Sequence, residues 1–470
     1  MRWTIATLVL TAGATVATAA DTPQLRPDQV EFRSLYRELV ETNTAHSDGS
    51  CTLAAERMAA RLKAAGFTDK DLVLFSTPEA PKDGGLVATL AGSSTALKPM
   101  VLLAHIDVVE AKREDWVRDP FAFIEENGNY YGRGVVDDKS LAAIWTDALI
   151  RFKREGYTPK RTIRMALTCG EETAGVFNGA EWLAKNRQDL VDAAFMLNEG
   201  GGGFTDGKGR LVSQNLQVGE KNYQDFRLET TSPGGHSSIP VRENALYQMA
   251  AALLKIRDLE FPLMMSDTTR SYFARAGEVR GGEMGAAMVA LAKNSDDKAA
   301  EAIVNTDRTY HSTLRTTCVA TLEKGGHATN ALPQSVTANV NCRIFPGVPS
   351  SEVQAALEKA IGDPGVKVTP QNGDHPVALP PPLDPKIVGP VEKLAAKYFP
   401  GVPVLPTMST GATDAIYFGA LKIPVYGVPG LWLDPDLNGI HGLDERIEIK
   451  SVMTGRDYLT DLVKVLASAK

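Results

Sequence analysis

Two spacings of apolar positions alternate through the first 220 residues. "TLAAERMAARLKAAGF" carries them at helical intervals and stops at Gly66, and "KSLAAIWTDALIRFKREGY" does the same up to Gly156. "LVATLAG" and "MVLLAHIDVV" are nearly unbroken apolar runs, the pattern of strands buried on both faces. "RTIRMALTCGEE" predicts another strand, "GAEWLAKN" a helix, and "AAFMLNEGGGG" a strand with a glycine tail. Buried strands alternating with helices predict an α/β sheet covered by helices on both faces. Chemistry in such sheets gathers beyond the carboxyl ends of the strands. His105, Glu171, Glu172 and Glu199 all fall at such ends.

The pattern changes near Lys221. "YQDFRLETTS", "TTCVATLEKGG" and "QSVTANVNCRIFPG" alternate in the manner of half-exposed strands, with helices such as "ENALYQMAAALLKIRDL" and "SSEVQAALEKAIGD" between them. This predicts an α+β unit with an antiparallel sheet. The Pro-rich stretch "HPVALPPPLDP" closes it, and after Pro385 helix, short strand and helix return. The simplest architecture is a discontinuous α/β catalytic domain, residues 21–220 and 381–470, interrupted by an inserted α+β lid, residues 221–380. The lid is long, because residues 261–310 add helical material such as "GAAMVALAKN".

Composition narrows the function. A chain of 470 residues is long enough for two domains. Its net charge of −7 and the lack of any basic run argue against a nucleic-acid surface. The first twenty residues have Arg2, an apolar run, then small residues through Ala19 and Ala20, the pattern of a cleaved signal peptide. An uncleaved anchor is the alternative. No Cys follows the cleavage site, which speaks against a lipoprotein, and no later run is long enough to span a bilayer. The expected protein is exported, periplasmic or secreted, with no membrane association after cleavage. Cys51, Cys169, Cys318 and Cys342 show no C-x-x-C spacing, so zinc ligation by cysteine is not indicated. Export permits disulfides. Cys318 and Cys342 face each other if their segments pair as antiparallel strands; buried free thiols are the alternative.

Five elements carry metal-type ligands: His105 with Asp107, Asp137 in "YGRGVVDDKS", Glu171 with Glu172, Glu199 in "NEGGGG", and His441 in "NGIHGLDERI". Singly each has a structural explanation. The "GEE" acids suit a helix N-terminus, and "RGVVDDKS" suits a helix cap. Jointly they put histidine and carboxylates at several strand ends where one sheet edge gathers them. Burying those charges together without a cation is very unfavourable, and one or two divalent ions remove the problem.

The ordered set H-x-D, "GRGxxDDK", "EE", "E-G" and "IHG-x-x-E" resembles the M20 family of dinuclear zinc peptidases and amidohydrolases. "GGHSSIP" around His236, "HATNALP" around Asn330, "NCRIFPG" around Arg343 and "STGATDA" around Gly411 and Asp414 fit the same family. The run from His105 to Asp138 is most similar to the branch of carboxypeptidase S and secreted N-acyl-amino-acid hydrolases. The resemblance implies a zinc-peptidase-type sheet, with His105 and Glu199 on one zinc, Glu172 and His441 on the other, and Asp137 bridging. Co2+ or Mn2+ would be substitutes. Asp107 would accept a hydrogen bond from the far nitrogen of His105, and Glu171 would be the general base. Arg343 and Gly411 would take a substrate carboxylate, while His236 and Asn330 would stabilise an oxyanion. In many relatives the lid histidine serves the neighbouring subunit, so a homodimer through the lid is implied, although the long lid departs from the family pattern. A cis Asp137–Asp138 peptide is implied as well. The expected function is a carboxypeptidase or dipeptidase that cleaves an amide beside a free carboxylate. An N-acyl-amino-acid amidohydrolase is the near alternative, and an inactive binding protein on the same fold a lesser one.

Overall fold

The computed structural model describes residues 24–173, 175–371, 377 and 379–469. The expected signal peptide lies outside the described residues. No described helix is long and apolar enough to cross a membrane.

The run "MVLLAHIDVV" supplies a central strand of a mixed ten-stranded sheet, and "LVATLAG" lies toward one side of it. Met100–His105 lies between Ile163–Thr168 and Phe195–Asn198 and runs parallel to both. Val425–Gly427 continues the parallel set beside Phe195–Asn198. Every residue of Met100–His105 is buried, as its unbroken pattern requires. A hairpin, Leu72–Thr77 with Ala80–Leu90, extends one side antiparallel. The three parallel strands end at His105, Thr168 and Asn198, so the segments that follow them emerge side by side.

Helices cover both faces, as the alternation predicts. Lys139–Arg154 and Ile449–Ser468 share one large core with Pro27–Val40 and Pro385–Tyr398. Segments on either side of the lid therefore build a single core. A buried ion pair ties them further: Arg456 Nε donates to Asp147 at 2.7 Å, and its Nη1 to Asp28 at 2.7 Å.

The alternating strands form a separate antiparallel sheet in the order Thr317–Gly325, Ser335–Ile344, Asn222–Thr231, Lys367–Pro370. Helices Ala245–Arg257 and Ser350–Ile361 pack on one face of it around a second core. The helical excess of residues 261–310 resolves into Asp267–Arg280, Gly282–Lys293, Lys298–Val304 and Arg308–Thr313. These helices pack against Leu405 of the catalytic sheet, and Arg275 reaches Glu392 at 2.7 Å.

Cys318 and Cys342 are cross-strand partners joined by a disulfide. Cys51 and Cys169 form a second one, which the spacing gave no reason to expect. Free thiols are thereby corrected. Once the chain folds, the start of helix Cys51–Ala64 meets the end of strand Ile163–Thr168, 118 residues away.

Candidate metal centre

The side chains at the three strand ends converge. His105 Nε2 lies 3.0 Å from Asp137 Oδ1 and 3.7 Å from Glu199 Oε1. His441 Nε2 lies 3.2 Å from Asp137 Oδ2 and 3.0 Å from Glu172 Oε2. Two groups of ligand atoms result, His105–Asp137–Glu199 and Asp137–Glu172–His441, each within 4.8 Å. Asp137 belongs to both and turns one oxygen to each histidine. Burial pushes the Glu199 carboxyl well above its ordinary range, opposed by His105. Glu171 is pushed up for the same reasons, with further repulsion from Asp414 and Glu172. Four carboxylates and two imidazoles in a half-buried cluster suit divalent cations, and nitrogen with oxygen donors suit Zn2+.

The scaffold of this cluster is specific. His105 Nδ1 has its nearest partner in the backbone carbonyl of Asp107 at 3.1 Å. The Asp107 carboxylate is farther from that nitrogen, 3.5 Å, and its Oδ2 instead accepts from the Glu172 amide at 3.0 Å. The Asp107 carboxylate thus faces the His105 ring as an ion-pair partner while it accepts from the Glu172 amide. Asp107 orients His105 through its main chain and the Glu171–Glu172 loop through its side chain. The Asp137–Asp138 peptide is cis.

Glu445 performs a task the sequence reading did not assign. Its Oε2 accepts from Arg133 Nη1 at 2.8 Å and the Gly134 amide at 3.0 Å. Its Oε1 accepts from the amides of Val136 at 2.8 Å and Asp137 at 3.2 Å. It ties the Asp137 loop to the His441 loop. The only signal was its place in "IHGLDE". The His441 loop is held in an unusual backbone: Leu437, Asn438, His441 and Asp444 all have left-handed φ near +50° to +60°. Asn438 side-chain bonds to Asp434 N and Trp432 O keep it there.

A polar cleft of about 570 Å3 opens beside the cluster. Glu171 and Glu172 line one wall, and Tyr223, Asp225, Asn341 and Arg343 of the lid sheet line another. Among the described residues Arg343 has no carboxylate within ion-pair distance; its guanidinium stands 5.6 Å from the Tyr223 ring. Gly411 lies on the loop whose Ala412, Thr413 and Asp414 line the cleft, and a Cβ there would meet only Ser409 Oγ at 3.3 Å. His236 and Asn330 are not among the described lining residues. His236 sits exposed on a short ribbon, pairing with Ala331 and bonded to Ser238 Oγ at 2.8 Å. Asp414 is buried and joined to Asn178 and Thr168.

Comparison with known proteins agrees with this site. Residues 101–465 match the family described as Peptidase family M20/M25/M40. An N-fatty-acyl-amino acid synthase/hydrolase PM20D1 from Xenopus tropicalis is 30% identical over 366 residues, 77% of this chain and 71% of its own. Carboxypeptidase S from Saccharomyces cerevisiae is 26% identical over 431 residues, 81% and 73% of the two chains. An M20 family metallo-carboxypeptidase from Sulfolobus solfataricus superposes with a TM-score of 0.70 at 16% identity, over 94% of this chain and all of that one. The family match covers most of the chain and includes every strand end that delivers a ligand: the protein belongs to peptidase family M20/M25/M40 and is a hydrolase of that family.

Proposed function

We propose that this protein hydrolyses the amide bond next to a free carboxylate, as a carboxypeptidase or dipeptidase, with two zinc ions at its centre. His105 and Glu199 would hold one ion, Glu172 and His441 the other, and Asp137 both. When bound, the ions supply Lewis acidity at the scissile carbonyl and make water a nucleophile near neutral pH. The chain's own groups do the rest. Glu171 takes the proton from the attacking water and returns it to the leaving amine, a task suited to a carboxyl whose proton affinity is raised by burial. Arg343 and the Gly411 loop receive the substrate carboxylate and so fix the scissile bond over the cluster.

The observation that carries this proposal is Arg343: a cleft-lining guanidinium that has no carboxylate within ion-pair distance among the described residues, in the cleft that Glu171 and Glu172 also line. Its test uses the substrate as one member of a double-mutant cycle. Free-acid substrates should be cleaved well and C-terminally amidated ones poorly. Arg343→Lys should lower kcat/KM for the free acids by a coupling of about 2–5 kcal/mol and leave amidated substrates nearly as they were, since lysine replaces a planar fork with a point charge. Equal cleavage of acid and amide substrates would give Arg343 another task.

A second substrate class, N-acyl amino acids, shares all of this chemistry. It is favoured by the relatives named N-fatty-acyl-amino acid synthase/hydrolase and by an apolar chamber beside Asp137 and Glu199. Export is supported by the apolar N-terminal run and by two disulfides, which persist in oxidising compartments. We assign His236 and Asn330 to the cleft of a second copy, because both stand outside their own.

A further inference from the structure

Besides a cavity of about 30 Å3 next to Glu199 and Ile416, too small for a substrate group, the ligand cluster borders two chambers. One is the polar cleft with Arg343. The other, of about 170 Å3, is walled by Val136, Leu141, Val428, Leu431, Leu433 and Ile440 and reaches Asp137 and Glu199. The two have no lining residue in common among the described residues. A substrate whose carboxylate lies on Arg343 and whose scissile carbonyl lies at the cluster therefore directs its acyl side toward the apolar chamber.

One end of this chamber is buried. Its floor is Leu459 and Leu141, 1% and 4% exposed, on two helices that pack together. Its rim is formed by the half-buried Leu431, Leu433 and Ile440. A dry apolar cavity of about 150 Å3 holds a benzene ring, so a chamber of this size takes a phenyl group or a chain of about six carbons.

The glycine tail that follows Glu199 explains why the chamber stays open. Three of its four glycines are demanded by backbone or packing, and Gly200 has a left-handed φ of +93°. A Cβ on Gly200 would lie 2.5 Å from Gln217, one on Gly201 2.3 Å from the Gly427 carbonyl, and one on Gly203 2.5 Å from the Trp432 ring. Gly202 is different. Its Cβ would meet nothing closer than the Leu431 carbonyl and Leu433 Cδ1, both at 3.8 Å, and its φ lies outside the left-handed region. A side chain fits there, and it would occupy the chamber beside Leu433.

We propose that this chamber is the acyl-side subsite, that it selects substrates carrying an unbranched aliphatic or phenyl group of up to about six carbons on the carbonyl side of the scissile bond, and that Gly202 keeps it open. The proposal rests on the amide-hydrolase function above. Each methylene moved into such a chamber should raise kcat/KM about three- to fourfold, until the floor is reached.

The test is a series of N-acyl leucines, from acetyl through hexanoyl and benzoyl to dodecanoyl, with Gly-Leu and Phe-Leu beside them. For the metal-loaded wild type, kcat/KM should rise at least tenfold from acetyl to hexanoyl and benzoyl, and fall again at dodecanoyl. Gly202→Val should lower the hexanoyl-to-acetyl ratio at least tenfold. Leu433→Trp, at the half-buried rim, should do the same and serves if the first variant folds poorly. If the metal-loaded protein cleaves none of these compounds, the amide-hydrolase function fails and the subsite with it. If they are cleaved but hexanoyl is no better than acetyl, dodecanoyl equals hexanoyl, or both folded variants leave the ratio unmoved, the subsite is overturned and the reaction stands.

Discussion

Glu445 accepts four hydrogen bonds from residues 133–137 with two oxygens, and it is fully buried. A glutamine there keeps one accepting oxygen and turns an NH2 toward two donors. Glu445→Gln should therefore lower unfolding free energy by about 3 kcal/mol, the usual scale for breaking a buried charge-assisted network. It should also depress kcat, because Asp137 and His441 lose their common tie; urea unfolding beside turnover checks both. Glu220 makes a different test. It is buried, its Oε2 accepts from Thr413 and Gln217, and its Oε1 has no partner among the described residues. Burial pushes its carboxyl up to about 8. The folded chain thus keeps this proton after the unfolded chain, with a pKa near about 4.3, has lost it. Stability falls as pH rises through that window, by about 1.4 kcal/mol per unit, and levels off above it. Glu220→Gln removes the group, so the variant should gain on wild type by several kcal/mol between pH 5 and pH 8. A difference independent of pH would mean that Glu220 is ionised throughout.

The Glu171–Glu172 loop is anchored at its start by the Cys51–Cys169 disulfide and from below by the Asp107 carboxylate. The first closes a long loop of chain, which limits the unfolded ensemble. Replacing both cysteines by alanine should reduce stability by about 2–4 kcal/mol, read by urea unfolding. Because Cys169 is two residues from Glu171, turnover should fall as well. Dithiothreitol should lower the wild-type melting temperature by more than the variant's, in which only the Cys318–Cys342 bridge remains to be reduced. The Cys318–Cys342 bridge closes a much shorter loop, between strands already paired, and should matter less.

The lid is attached to the catalytic part by more than its two crossings. Its helical insert lies on Leu405, with Arg275 on Glu392, and the lid sheet ends in an edge strand that pairs on one side only among the described residues. On that edge strand, Thr317–Gly325, Val319 is 60% and Leu322 71% exposed. Tyr247 and Leu254 on the neighbouring helix are exposed too. An open edge with apolar side chains invites pairing with another chain, and the assignment of His236 to a second copy's cleft, proposed above, requires such a dimer. Leu322→Lys should convert a dimer to monomer in light scattering and reduce activity with it. Wild-type protein that is monomeric at working concentration and fully active would leave His236 without a catalytic task.

The sequence by itself determined the layers. Buried runs alternating with helices predicted a mostly parallel sheet, in which the strand ends that carry His105, Glu172 and Glu199 share one edge; the strand of "LVATLAG" departs from it by running antiparallel. Alternation after Lys221 determined the second, half-exposed sheet in the same way. What tertiary structure decided are the relations between residues distant along the chain: the bond between Cys51 and Cys169, the four donors on Glu445, Asp107 sharing its carboxylate between the His105 ring and the Glu172 amide, and the choice among four like glycines of the one that faces a cavity. Periodicity records which side of an element is buried. It carries no record of what lies on the other side of the contact, and each of these features is a property of that contact.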